Sequence, residues 1–216
     1  MENRSAAFQE IITVPLQCLA NKPSCISSEE AASLPVCHVT AAAAIAAGLQ
    51  ISLPHLGPTG SRSLKSVLVL GESSAVGAAA TQLLRQALPG AVIPATSSIQ
   101  HHSLLMSLGA AQCFERFVQE SPSPIRAATP DGSGVDTIID TVGAAAHHPT
   151  LFAALNPGGP KLYSDVATGI PGNSFRWDQR KNGFRSAAFR CARKSKGYAS
   201  TRGISGNRTV SAPGAG

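Results

Sequence analysis

A doubly wound α/β fold on a parallel sheet is the class this sequence predicts, on three observations. The apolar run Val67 to Leu70 ends in the small-residue turn GESSAVG and opens at once into a helical pattern. Strand-like runs and helix-length segments then alternate down to residue 167. Strands joined by helix-length crossovers run parallel, and the crossovers cover both faces of the sheet.

Taken in order, FQEIITVP at 8–15 reads as a strand, from its Ile and Val content. After a turn at 23–27, SEEAA at 28–32 starts a short helix and a longer one runs over 40–48. Gly57, Pro58 and Gly60 mark a loop into the strand at 66–70. In the following helix Val76, Ala79, Ala80, Leu83, Leu84 and Ala87 share one face, and Pro89-Gly90 stops it. A second strand is expected at 91–95, a second helix at 100–108 and a short third strand at 112–115. Pro122 and Pro124 interrupt the next segment; GVDTIID at 134–140 is a buried strand, 144–155 a helix, NPGG a turn, and 161–167 the fifth strand.

The turn at 71–77 carries the chemistry. A buried strand delivers the chain to the sheet edge, and Gly71, Ser73, Ser74, Ala75 and Gly77 are small enough for backbone N–H groups to approach a pyrophosphate. The helix N-terminus turns its partial positive charge toward the anion. Glu72 and Ser74 stand where a GxGxxG ending at Gly77 would have its first two glycines, so a plain strand-to-helix turn stays open on this motif alone.

Charge is divided unevenly. Residues 1–172 hold 8 Lys/Arg against 11 Asp/Glu, net −3, while 173–216 hold 10 against Asp178 alone, net +9. The overall +6 is therefore no general signal for nucleic acid. Hydrophobic residues make up 43% of 216, enough for a sizeable core. Five cysteines show neither CxxC nor Cys/His ligand spacing, so neither a disulfide framework nor a metal centre is expected. The start lacks a signal-peptide pattern, and 40–53 is too short and too weakly apolar to span a bilayer. A cytoplasmic protein without membrane association is the expectation.

Six pieces in order, AAFQEIITVP, EEAASLPVCHVTAAAAI, VLVLGESSAVGAAATQLL, SLGAAQCFE, GVDTIIDTVG and LNPGGPKLYSDVATG, resemble the medium-chain dehydrogenase/reductase superfamily. Its zinc-independent quinone-reductase and enoyl-reductase-like branch is the nearest in pattern, over about 6–172. The resemblance implies a Rossmann-type domain at 61–172, preceded over 1–60 by the remnant of a GroES-like catalytic domain with its connecting helix. Its members transfer hydride from a nicotinamide cofactor to an activated C=C or carbonyl of a small-molecule substrate.

Carried over by position, the resemblance places the cofactor pyrophosphate on Ser74, Ala75 and Val76, with Gly71 and Gly77 permitting close approach. Thr40 would stand near the nicotinamide, as would Asp140, Thr141, Val142, Gly143, Val166 and Thr168. For Asp140, capping of the next helix is an equal alternative. An NAD site would end the second strand in a carboxylate on the ribose 2′-OH; Thr96, Ser97 and Ser98 stand there instead, which favours NADP(H). His101, with His102 beside it, occupies the position of a phosphate-pairing base, where histidine makes a weaker clamp at neutral pH; exposed polar residues opening a helix are an equal reading of the pair. Zinc-dependent relatives place a Cys where Val36 stands, so Cys37–His38 is read as no metal site.

Against the family pattern the chain reads as truncated at both ends, which leaves no catalytic residue assignable and turnover in question. The sixth strand has no counterpart, the fifth would be an unpaired edge, and 173–216 is expected to be a basic disordered tail or a segment from an altered reading frame. Its interleaved aromatics weakly suggest a nucleic-acid arm. The alternative function is a non-catalytic nucleotide-binding or accessory module, with a homodimer or a biosynthetic enzyme as partner.

Overall fold

The computed structural model describes residues 10–16, 19–57, 63–166 and, for backbone alone, 185–188. Six parallel strands form one sheet in the order β3-β2-β1-β4-β5-β6. They are β1 (Val67–Leu70), β2 (Pro94–Thr96), β3 (Gln112–Phe114), β4 (Thr137–Asp140), β5 (Leu162–Asp165) and β6 (Arg185–Ala188). The doubly wound fold class expected from the alternation is the one observed.

The central strands are apolar on both sides because both sides are covered. Val67, Val69 and Ile139 face a core shared with α2 (Ala75–Ala87) and the end of α1 (Ser28–Ala43), through Leu83, Leu84 and Ala42. Leu68, Leu70 and Ile138 face the opposite core, where α4 (Ser123–Ala127) and α5 (Ala144–His147) bring Ile125 and Ala145. A third helix, α3 (His102–Ser107), packs Leu105 on Ala95 of β2. Period-two alternation along β1 thus divides one strand between two cores.

Several expected elements take a different form. The two helices expected at 28–32 and 40–48 are one, since α1 runs through Pro35 and continues as a π-turn to Gly48. Proline frees a carbonyl one turn back, and the stretch it interrupts, 32–36, is exposed to water that can satisfy it. At 21 residues Ser28–Gly48 is long and apolar enough to cross a membrane by length and composition, against the shorter segment weighed in the sequence. Its second half nevertheless packs as a core helix, with Ala41, Ala44 and Ile45 fully buried. The strand expected at 8–15 is absent among residues 10–15, where Ile11 is 84% exposed and no neighbouring strand offers partners. Pro149 breaks the helix expected at 144–155 into α5 and a 3-10 segment, Pro149–Ala154.

The tail requires a correction. Arg185–Ala188, in a stretch read as disordered and without a sixth strand, pairs in parallel with β5 from Leu162↔Arg185 to Asp165↔Ala188. The fifth strand is therefore not an unpaired edge. Backbone pairing asks for no apolar pattern, which is why RSAA gave no signal. The remainder of 173–216 and Thr168 lie outside the described residues.

Candidate functional site

Register brings the candidate residues to one end of the sheet. Leu70 at the end of β1 lies opposite both Thr96 and Asp140, and Asp140 lies opposite Asp165. The segments leaving β1, β2, β4 and β5 therefore emerge side by side. On one side of β1 the chain proceeds to β2, on the other to β4, and this reversal is where open α/β sheets leave a crevice.

The turn from β1 to α2 is shaped by what cannot fit. Gly71 is left-handed (φ 71), and a Cβ on it would stand 2.4 Å from Val142 Cγ1. A Cβ on Gly77 would lie 2.6 Å from both Glu72 Cα and the Gly71 carbonyl, so the helix start rests directly on the turn. Ser74 caps α2, its Oγ accepting from the Gly77 N–H at 3.0 Å. The Glu72 N–H donates to Thr96 O and that of Ser74 to Gly71 O. This leaves the N–H groups of Ser73, Ala75 and Val76 without an acceptor among the described residues. Three such donors stand at the N-terminus of a 13-residue helix, where free N–H groups suit an anion.

The turn after β4 supports the first. Thr141 Oγ1 donates toward Leu70 O at 2.8 Å and Gly71 O at 3.1 Å, and lies 3.0 Å from Ser74 Oγ. Gly71 N–H donates to Thr96 Oγ1 at 3.3 Å. The Asp140 carboxylate is wholly buried and faces inward: it accepts from the N–H groups of Val142, Ala144 and Ala145 and from the Tyr163 hydroxyl. Of the two readings of Asp140, the geometry is that of a cap. Burial, then the charge of Asp140, holds the Tyr163 phenol well above its ordinary range, so it stays a donor. Tyr163 was not among the candidates; it pairs with Ile138 two residues before the strand ends, a register that the sequence does not express.

Other candidates separate by exposure. Thr96 and Ser97 are each 1% exposed, and Ser97 Oγ donates to the Ser98 carbonyl. Ser98, half-buried, and His101, beside Gln100, stand at the open end of β2. Gly143 is left-handed (φ 70) and buried, Val142 is 51% exposed, and Val166 is half-buried with its N–H on the Asp140 carbonyl. Thr40 stands apart on α1, half-buried. Cys37 is a free thiol, and the ring of its neighbour His38 lies 5.5 Å from that of His55.

No family model matches the chain. It is 33% identical over 140 residues to the trans-enoyl reductase himH of Aspergillus japonicus, covering 65% of this chain and 39% of that one. Over 132 residues it is 35% identical to the trans-enoyl reductase phm4 of Pyrenochaetopsis sp, covering 61% and 35%. The chain thus spans little more than a third of the length of these curated relatives. Among solved structures, the CurK enoyl reductase superposes with a TM-score of 0.58 at 26% identity, covering 79% of this chain and 47% of that one. With the strand order, the glycine-bounded turn and the six sequence pieces on one scaffold, the chain is similar to enoyl reductases of the medium-chain dehydrogenase/reductase superfamily.

Proposed function

We propose that this chain binds a nicotinamide dinucleotide, NADP(H) in preference to NAD(H), as the cofactor domain of an oxidoreductase of the enoyl- or quinone-reductase type. The observation that carries the reading is the cradle of unpaired N–H groups at Ser73, Ala75 and Val76, set over two glycines that admit no Cβ. Such a surface suits a pyrophosphate, to which backbone donors come within hydrogen-bond reach only where side chains are absent.

The bound cofactor would supply the hydride, and the chain's residues hold and orient it. Ser74 and Thr141 fix the turn; Val142, Val166 and Thr168, with Thr40, would border the nicotinamide. Ser98 and His101 would receive the ribose 2′-phosphate, at a strand end without a carboxylate to repel it. The substrate class is an activated C=C or carbonyl compound, following the enoyl reductases among its relatives.

Calorimetric titration of the purified chain with NADPH and, separately, NADH tests this reading. Binding that prefers NADPH supports it, and binding to neither overturns it. Cofactor oxidation with an enone or quinone acceptor then separates an enzyme from a module that binds without turnover.

A further inference from the structure

Position 72 carries a group that dinucleotide binding does not use. Glu72 is wholly buried, and neither carboxyl oxygen has a hydrogen-bond partner. Its backbone is pinned, the N–H on Thr96 O and the Cα against Gly77. The side chain is consequently sealed beneath α2, in the layer between that helix and the β2–β3 edge.

The surroundings offer no counter-charge. From α2 comes Thr81, buried, whose hydroxyl is itself unpartnered and off hydrogen-bonding geometry to the carboxyl. From β3 comes Cys113, whose thiol burial, and then the Glu72 charge, push up to about 11. From α3 comes His102, whose carbonyl accepts the Cys113 thiol and whose Nε2 is buried without a partner. Arg85, the one cation of α2, is committed to the carbonyls of Gly109, Pro89 and Ala91. The strand ends contribute Leu70 and Thr96, both uncharged. An isolated carboxylate in such a place is far costlier than a neutral carboxyl. Burial pushes the Glu72 carboxyl up to about 7, the Thr81 hydroxyl drawing it back only in part.

We propose that Glu72 makes the β1–α2 turn a proton-operated latch, closed with a neutral carboxyl buried under α2 and opened when the carboxylate, with no cation and only the Thr81 hydroxyl beside it inside, leaves for water. Withdrawing the side chain has to move the backbone that Gly77 rests on, and with it the three outward N–H groups. That the latch governs cofactor binding rests on the function proposed above; the latch itself does not. Because the folded value lies above the ordinary 4.5, the folded state holds the proton more tightly. Stability is complete near pH 4.5, falls as pH rises toward 7 and is level beyond, a loss of about 300-fold in the folding equilibrium if the side chain stays in.

The test is thermal unfolding of the full chain and calorimetric NADPH binding between pH 5 and 8.5, for wild type and Glu72→Gln. The wild type is expected to lose stability and affinity up to pH 7, while the variant stays nearly level, binding at least ~10-fold more tightly than wild type at pH 8. Parallel stability curves overturn the latch, even where both proteins bind NADPH. Diverging stability curves without NADPH binding by either protein uphold the latch and sink the nucleotide reading. Should the variant not fold, 13C-glutamate-labelled wild type decides: one carboxyl titrating near 7 supports the latch, and all titrating below about 5.5 overturn it.

Discussion

Ser74 Oγ and Thr141 Oγ1 lie 3.0 Å apart, and the direction of the proton between them is fixed by their other partners. Thr141 has one hydroxyl proton, aimed at the carbonyls of Leu70 and Gly71. Ser74 must therefore donate to Thr141 while accepting from the Gly77 N–H. This relay ties the end of β4 to the start of α2 across the glycine turn. Ser74 thereby shapes the turn, with its proton already engaged.

Removing either hydroxyl is expected to loosen the same unit. Ser74→Ala loses a helix cap, costing about 1 kcal/mol. Thr141→Val leaves two turn carbonyls without that donor, costing roughly 1–3 kcal/mol. Because the groups share one network, the double variant should cost less than the two single costs added together. Urea unfolding of the four proteins measures the coupling; strict additivity would show the relay to be incidental.

Gly71 presents a separable clash. Alanine there meets Val142 Cγ1 and Cγ2 at 2.4 and 2.8 Å, in a backbone region that favours glycine. Gly71→Ala is expected to cost about 3 kcal/mol or more, from overpacking and positive φ together. Adding Val142→Ala removes both offending methyls and should restore all but the roughly 1–2 kcal/mol of backbone strain. Thermal unfolding of the single and double variants checks this, and failure of the second substitution to rescue the first would place the obstruction elsewhere.

What was legible in the sequence depended on local pattern. The β1–α2 junction shows because its apolar run, small turn residues and helical face are contiguous. Strand order was not written locally, yet alternation with helix-length crossovers restricted it, and the parallel sheet is there. Pro35 reads as a helix breaker but lies where water accepts the freed carbonyl, so one helix was seen as two. β6 escaped because a strand adding to an edge is selected by backbone hydrogen bonds, and Arg185–Ala188 has no apolar alternation. Among site residues, Ser97 reads like Ser98, and only burial separates them. The isolation of Glu72 arises from α2 and β3 closing over it, which no spacing along the chain expresses.

Asp140 holds the second turn as firmly as Ser74 and Thr141 hold the first. Oδ1 accepts from Val142 and Ala144, Oδ2 from Ala145 and the Tyr163 hydroxyl, all within 3.1 Å. Asp140→Asn turns an NH2 toward donors and is expected to cost about 3 kcal/mol, since charge-assisted bonds are the stronger kind. Tyr163→Phe removes one donor of four and should cost about 1 kcal/mol. Denaturant unfolding gives the order; equal costs would mean that the carboxylate draws on Tyr163 alone.

Cofactor choice is expected to turn on Ser98. Thr96 and Ser97 point into the protein, and the nearest half-exposed side chain after β2 is that of Ser98, ahead of the 3-10 turn Ile99–His101. A serine there leaves space and a hydroxyl donor for a 2′-phosphate, whereas a carboxylate would repel that group and accept from a 2′-OH instead. Ser98→Asp should thus weaken NADPH binding by ~10-fold or more and strengthen NADH binding several-fold, a change in preference on the order of 10². His101→Lys should move the preference the other way, because a lysine ammonium brings a full positive charge to the 2′-phosphate. Titrating both variants with both cofactors decides the matter. If Ser98→Asp alters the two affinities equally, the 2′-phosphate lies elsewhere and the open end of β2 is not where the nucleotides are told apart.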